Sequence, residues 1–176
     1  MFTDRFCRFE TTSHWIIGAR AEEIAAVLDD VEGLPRWWPE VYRATRLLAP
    51  GDPETGLGRE FSALTLGRLP YSLRWSGRTV FAEPPGRWII AVSGDLEGEG
   101  VWRLEENGRF TEVIFDWRVD LRAPLARVLS PVLRPAYLAN LRWAMTRGLE
   151  GLGGEARRRR LAELDGARLP PLSAAG

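Results

Sequence analysis

Few residues in this chain are able to do chemistry, and the spacing of each one limits what it can be. His14 is the only histidine. A lone imidazole serves a nucleophilic triad only where a hydroxyl or thiol and a carboxylate converge on it. Strand alternation turns His14 away from Trp15 and Ile17, so a partly exposed strand histidine is expected. Asp95, Glu97 and Glu99 stand two apart, which on a strand places three carboxylates on one face, a conceivable hard-cation site. Gly94, Gly98 and Gly100 loosen that segment and no histidine stands near, so a solvated hairpin and no metal is the expectation. Arg157–Arg160 is a run of cations that could meet an anionic membrane surface or nucleic acid. Glu155, Glu163 and Asp165 dilute it, which predicts a solvated helix end. No glycine-rich phosphate loop, zinc spacing or nucleophile elbow is present, and no cofactor is expected.

The more informative residues are aromatic. Eight Trp in 176 residues suggest a broad apolar interior with a few N–H donors at its edges. Trp15, Trp75, Trp88, Trp102 and Trp117 each fall on a strand face shared with other apolar residues, and Tyr137 and Trp143 come from a helix. The set could line a ligand cavity with a few polar tips: the Tyr71 and Tyr137 hydroxyls, the Asn140 amide and the indole N–H groups. The competing expectation is that the rings fill a solid core.

The elements that position these rings follow from periodicity. In Val132–Leu152, Leu133, Tyr137, Leu141, Ala144, Met145, Gly148, Leu149 and Leu152 recur at steps of three and four, the stripe of an amphipathic helix. Pro131 and Pro135 do not suit a helix interior, so the regular helix is expected to begin near one of them. Gly153-Gly154 weakens it, and Glu155–Leu164 can extend it. Upstream, strands are predicted at Phe6–Ile17, Tyr42–Ala49, Arg59–Leu66, Tyr71–Ala82, Arg87–Val92, Glu99–Glu105 and Thr111–Leu121, with a hairpin at Asn107-Gly108. Thr111–Leu121 alternates most cleanly, with one covered and one wet face. Ala19–Asp29 predicts a short helix with Glu22 and Glu23 in its first turn. Asp30–Val41 predicts a second, capped by Asp30 and stopped by Pro39.

Bulk properties exclude several function classes. Net charge is zero, which argues against nucleic acid as a partner. Every one of the 24 cationic residues is Arg. Cys7 stands alone, so an intramolecular disulfide or cysteine zinc cluster is not available. No apolar run of about 18 residues points to a membrane span, and MFTDRFCRFETT lacks a signal-peptide layout; a cytoplasmic setting is expected. One domain is expected over 1–156, with 157–176 as helix end and disordered tail.

IIGARAEEIAAVLDD (Ile16–Asp30), LPRWWPEV (Leu34–Val41), GEGVWRLEENGRFTEVIFDWRVDL (Gly98–Leu121) and NLRWAMTRGLEGL (Asn140–Leu152) together resemble the SRPBCC superfamily, the START-like, polyketide cyclase/dehydrase-like and Bet v 1-like helix-grip proteins. The resemblance implies an α+β fold in which a seven-stranded antiparallel sheet curves around a long C-terminal helix, with two short helices after the first strand. It also implies a cavity between sheet and helix for a lipid, polyketide, quinone or similar molecule. The candidate ligand-binding residues are then Trp15, Trp37, Trp38, Tyr71, Trp75, Trp88, Trp102, Phe115, Trp117, Tyr137, Asn140, Leu141 and Ala144. The expected partner is a hydrophobic small molecule, without nucleic acid or integral membrane association. The alternatives are a cyclase or dehydratase, with Tyr71, Tyr137 and Asn140 orienting a carbonyl or enol, and a protein-interaction domain. No acid/base set matches a known cyclase residue by residue. The proline-interrupted helix start and Trp37-Trp38 are expected to form the entrance.

Overall fold

The structure, a computed structural model, describes residues 7–68 and 71–168, without the side chains of residues 125–127, 129–131, 167 and 168. The chain runs β1 (Arg8–Ile17), α1 (Ala21–Asp29), a 3-10 turn (Val31–Gly33), the one-turn helix α2 (Leu34–Trp37), β2 (Tyr42–Ala49), β3 (Glu60–Leu66), β4 (Ser72–Glu83), β5 (Arg87–Gly94), β6 (Leu96–Asn107), β7 (Phe110–Leu121) and α3 (Pro124–Arg168). The strands form a seven-stranded antiparallel sheet in the order β1-β7-β6-β5-β4-β3-β2. With the long helix this is the α+β helix-grip architecture.

Alternation decides the faces. In β7, Val113, Phe115, Val119 and Leu121 are buried while Arg118 is exposed. In β1, Trp15 and Ile17 are buried and Ile16 is 72% exposed. The inward faces join α1 and α3 in an apolar core in which Ile24, Val27 and Leu152 are wholly buried. The β6–β7 hairpin turns at Gly108, whose φ of +65° suits a glycine at the first central position of a two-residue loop.

Three expectations are corrected. The first concerns α3, which starts at Pro124 and continues through Pro131, Pro135, Gly153 and Gly154 as one 45-residue helix. Pro124 costs nothing at a helix start, where its missing N–H would be unpaired anyway. Two internal glycines cost about 1 kcal/mol each relative to alanine. The flanking Leu152 and Ala156, at 0% and 1% exposure, return more than that, since burying a leucine is worth about 1.5–3 kcal/mol. Tertiary burial therefore overrides local propensity. The expected disordered tail lies, from residue 169, outside the described residues, as do Phe6 and the N-terminal segment before it.

The second concerns β6, which begins at Leu96 rather than Glu99. Gly98 has φ +155°, and a Cβ there would collide with the Arg118 carbonyl oxygen. The glycines that read as a loose hairpin let β6 press against β7. The acids beside them are engaged: Glu97 with Arg122, Glu99 with Arg118, and Asp95 with the Arg74 N–H. Among the described residues no acidic, His or Cys cluster could hold a metal ion.

The third concerns Arg157–Arg160, which is not simply a solvated helix end. The buried Glu155 carboxylate accepts from Arg36 (2.8 Å), Arg158 (2.7 Å) and Arg159 (2.9 Å). Arg159 also donates to Asp30 (2.6 Å) and the Ala26 carbonyl (2.9 Å), and Arg160 to Glu23 (2.6 Å). The run clasps α3 to α1 and to the turn that precedes α2.

The guanidinium of Arg158, with those of Arg159 and Arg36, holds the Glu155 carboxyl well below the usual carboxylate range against the opposing effect of burial. A lowered folded-state pKa contributes stability that is complete above the ordinary carboxylate value of about 4.3 and is lost as pH falls below it. Glu155→Gln should lower unfolding free energy at pH 7 by about 2 kcal/mol, because the freed arginines are partly exposed and regain water. The gap between wild type and variant should close progressively below about pH 4. Denaturant melts across pH 3–7 measure this, and a constant gap would refute the assignment.

Candidate functional site

A cavity of about 120 Å³ lies between α3 and the β2–β4 half of the sheet. Trp75, Phe115 and Trp117 project into it from β4 and β7, and Thr65 and Leu73 from β3 and β4. Leu141, Ala144 and Met145 supply the helix wall, and Trp38, Val41 and Tyr42 the side near α2. Leu66, Gly67, Tyr71 and Asn140 are half-buried lining residues beside the β3–β4 connection, and Leu96 completes the lining.

The cavity occupies one half of the groove because indoles fill the other. Trp102 stacks on Phe115 at 3.8 Å between ring centroids, and Trp15 meets Trp102 edge-on at 5.8 Å. Eight of the candidate residues come together around the cavity: Trp38, Tyr71, Trp75, Phe115, Trp117, Asn140, Leu141 and Ala144. Trp15, Trp37, Trp88 and Trp102 instead pack in the apolar core, where Trp88 and Trp102 border a small void of about 30 Å³. Tyr137 stands behind the lining, its ring edge-on to Tyr71 at 6.0 Å and to Phe9 at 5.8 Å. Trp143 stacks under the Arg68 guanidinium at 4.8 Å. His14 lies on the outer face, 3.3 Å from Glu112. Sequence reasoning missed Val41, Tyr42, Thr65, Leu66, Gly67, Leu73, Leu96 and Met145. Alternation could have found Thr65, which shares a face with Phe61 and Ala63.

The Trp37-Trp38 pair is not at the mouth. Both rings are buried, at 4% and 3% exposure, and they stack on each other at 5.5 Å beneath α3. Glycines in the helix admit them. A Cβ on Gly148 would lie 2.6 Å from the Trp38 ring, and one on Gly151 would collide with the Trp37 carbonyl oxygen. The Trp38 indole N–H donates to the Ala144 carbonyl at 2.9 Å. The half-buried residues beside the β3–β4 connection mark the open side instead. The side chain of Pro131, assigned to the expected gate, lies outside the described residues, and Pro135 is exposed and does not line the cavity.

The polar groups in the lining are neutral. Thr65 Oγ1 accepts from the Trp75 indole (3.2 Å) and donates to the Leu73 carbonyl (3.4 Å). Asn140 Oδ1 accepts the Arg68 N–H at 2.7 Å, which leaves Nδ2 available as a donor. Burial pushes the Tyr42 phenol far up, and burial with a hydrogen bond to Tyr137 does the same for Tyr71. Tyr42 makes no hydrogen bond through its hydroxyl to any described residue. No Asp, Glu, His, Lys or Arg is among the described lining residues. The arrangement can offer two uncharged donors, from β2 and α3, to an apolar guest with acceptor oxygens.

Residues 8–157 match the family described as polyketide cyclase / dehydrase and lipid transport, and the chain belongs to that family. No curated protein matches it. Among solved structures it is similar to the Zhui aromatase/cyclase of a Streptomyces species, with 19% identity and TM-score 0.68 over 87% of this chain and 96% of that one. It is similar to a protein of Thermus thermophilus, with 21% identity and TM-score 0.66 over 88% and 99% of the two chains. A START superfamily protein of Mycobacterium smegmatis aligns with 17% identity and TM-score 0.67 over 85% and 97%. At these identities the likenesses establish the fold. Family membership supports a role in hydrophobic-ligand binding or cyclisation without choosing between them.

Gly151→Ala tests how α3 seats on the Trp37-Trp38 segment. Helix propensity alone predicts a gain of about 1 kcal/mol. The collision with a backbone oxygen should outweigh it and give a net loss of about 1–3 kcal/mol. A stabilised variant in denaturant unfolding would show that α3 does not sit this close.

Proposed function

We propose that the protein binds a neutral, largely apolar small molecule in this cavity, and that binding rather than catalysis is its activity. The observation that carries the reading is the lining itself: aromatic and aliphatic side chains with two available uncharged donors and no ionisable carboxylate, imidazole or cation. Burying a charged ligand group there would cost several kcal/mol without a partner, so the enclosed part is uncharged. Its size follows from the volume. Pockets for drug-sized ligands span about 300–1,000 Å³, and an apolar cavity of about 150 Å³ takes up benzene. A space of 120 Å³ suits a single ring or short aliphatic segment that carries a carbonyl or hydroxyl, with any longer portion leaving past Tyr71 and Asn140. Lipid tails, quinones and aryl ketones share that description. No helix among the described residues is long and apolar enough to cross a membrane, and a cytoplasmic setting belongs to this proposal.

A cyclase or dehydratase acting in the same cavity is the second reading, and Tyr42 is the observation in its favour. A half-buried phenol that lines the cavity and has no hydrogen-bond partner among the described residues can donate to a developing enolate. Proton abstraction needs a base whose pKa lies near the working pH, and both cavity phenols have theirs pushed upward.

Titrating a panel of single-ring ketones, quinones and short-chain lipids should quench tryptophan fluorescence saturably at about one molecule per chain, with Trp75 and Trp117 beside the guest. Tyr42→Phe should weaken the best ligand about 3–10-fold, the worth of one neutral hydrogen bond, with stability unchanged. Ala144→Leu should fill the cavity and abolish binding while the protein stays folded. Saturable binding that is indifferent to Ala144→Leu, or no binding across the panel, would remove the proposal. Turnover of a bound ketone would favour the second reading.

A further inference from the structure

The outer face of the sheet is a ladder of opposite charges. Arg8 meets Asp120, Arg78 meets Glu60, Arg103 meets Asp116 and Arg118 meets Glu99 across neighbouring strands. Such cross-strand pairs are the usual way for a wet sheet face to satisfy its cations. On β2–β5 the ladder keeps Arg78–Glu60 but leaves Arg46 and Arg74 without an acidic partner among the described residues. A groove of about 410 Å³ crosses this part of the outer face, and its polar lining is Thr45, Arg46, Ser62, Arg74, Ser76 and Ser93, with no carboxylate.

Register makes the lining continuous. Arg46 pairs with Ser62, Ser62 with Ser76, and Ser76 with Ser93. Adjacent strands lie about 4.8 Å apart, so three hydroxyls form a row about 10 Å long with a guanidinium at one end. Arg74 precedes Ser76 by two residues and therefore shares its face. Neither the Arg46 nor the Arg74 guanidinium meets a carboxylate among the described residues, and the three serine hydroxyls make no hydrogen bond there. Nearby acids are committed elsewhere: Asp95 to the Arg74 backbone N–H, Glu32 to that of Leu47, and Glu60 to Arg78.

We propose that this groove binds a phosphomonoester group, held between the guanidinium forks of Arg46 and Arg74 with the serine hydroxyls donating to its remaining oxygens. Arginine forks match the paired oxygens of a phosphoryl group and strengthen each bond by charge. The site lies on the face of the sheet opposite the apolar cavity and does not depend on what that cavity holds.

The test titrates the full chain at low salt with inorganic phosphate by calorimetry, and with phosphatidic acid vesicles in a phosphatidylcholine background by co-sedimentation. Saturable binding of inorganic phosphate identifies a free phosphate site, and binding of the phosphatidic acid vesicles alone identifies a lipid headgroup. Either supports the proposal provided that R46E/R74E weakens it about tenfold or more while circular dichroism and cavity-probe binding stay unchanged. R109E/R142E, which reverses two exposed arginines outside the groove, is the charge-matched control. Equal weakening by both double variants, or binding in neither arm, overturns the proposal. Should R46E/R74E fail to fold, R46Q/R74Q carries the same comparison.

Discussion

At Gly151 the long helix and the Trp37-Trp38 segment approach so closely that one methyl group would not fit between them. That contact sets the height of α3 above the sheet at its C-terminal half. The helix lies directly on stacked indoles there, and Trp15, Trp88 and Trp102 pack the space below. Because the helix is one continuous rod, its preceding turns must pass over the β2–β4 half of the groove at a height decided elsewhere. The hollow beside Ala144, Leu141 and Asn140 is what remains when rings fill one end and the sheet curves away at the other. Emptiness at that place follows from rigid packing and needs no flexible element.

Electrostatics fastens the same end. A carboxylate as buried as Glu155 would be costly if isolated, by several kcal/mol. It is tolerated because three guanidiniums converge on it from α2 and from the next turn of α3. Arginine makes this possible, since its planar fork delivers several donors in fixed directions while an ammonium acts as a point charge. A chain with arginine as its only cation can build such a clasp at any convenient position. Here it lies within about one turn of Gly151, so packing and charge reinforce a single anchor point.

Strand periodicity made the sheet legible, because a half-wet antiparallel strand writes its two faces into alternate residues, as Thr111–Leu121 shows. The stripe from Leu133 to Leu152 likewise placed the helix. Other features are not local properties and could not be read. Pro131 and Pro135 look like the start of the regular helix, yet it begins at Pro124, while burial of Leu152 and Ala156 carries it across Gly153 and Gly154. Gly148 and Gly151 look like weak helix residues, yet they are the seats of Trp38 and Trp37. Whether Trp102 lines a cavity or plugs a core depends on its stacking with Phe115, a contact between strands that no single-strand pattern encodes. Tyr42, read only as the start of a strand, reaches the cavity because β2 pairs it with Thr65.

The chemistry open to this cavity follows from how its phenols are held. Burial raises the pKa of Tyr42 and Tyr71, and the Tyr71–Tyr137 hydrogen bond adds to the effect. A phenol in that state keeps its proton throughout the physiological range, so it donates hydrogen bonds and does not take protons up. A guest carbonyl would be oriented and polarised by Tyr42 and by the free Asn140 N–H, with no group in the lining to remove a proton from it. An aldol-type closure would then need a base carried by the substrate or by a water admitted at the open side near Tyr71. A binding protein needs neither, and the same two donors suffice to fix one orientation of a small apolar molecule. Tyr42 and Asn140 therefore supply what both readings share, an oriented pair of uncharged donors facing an apolar guest.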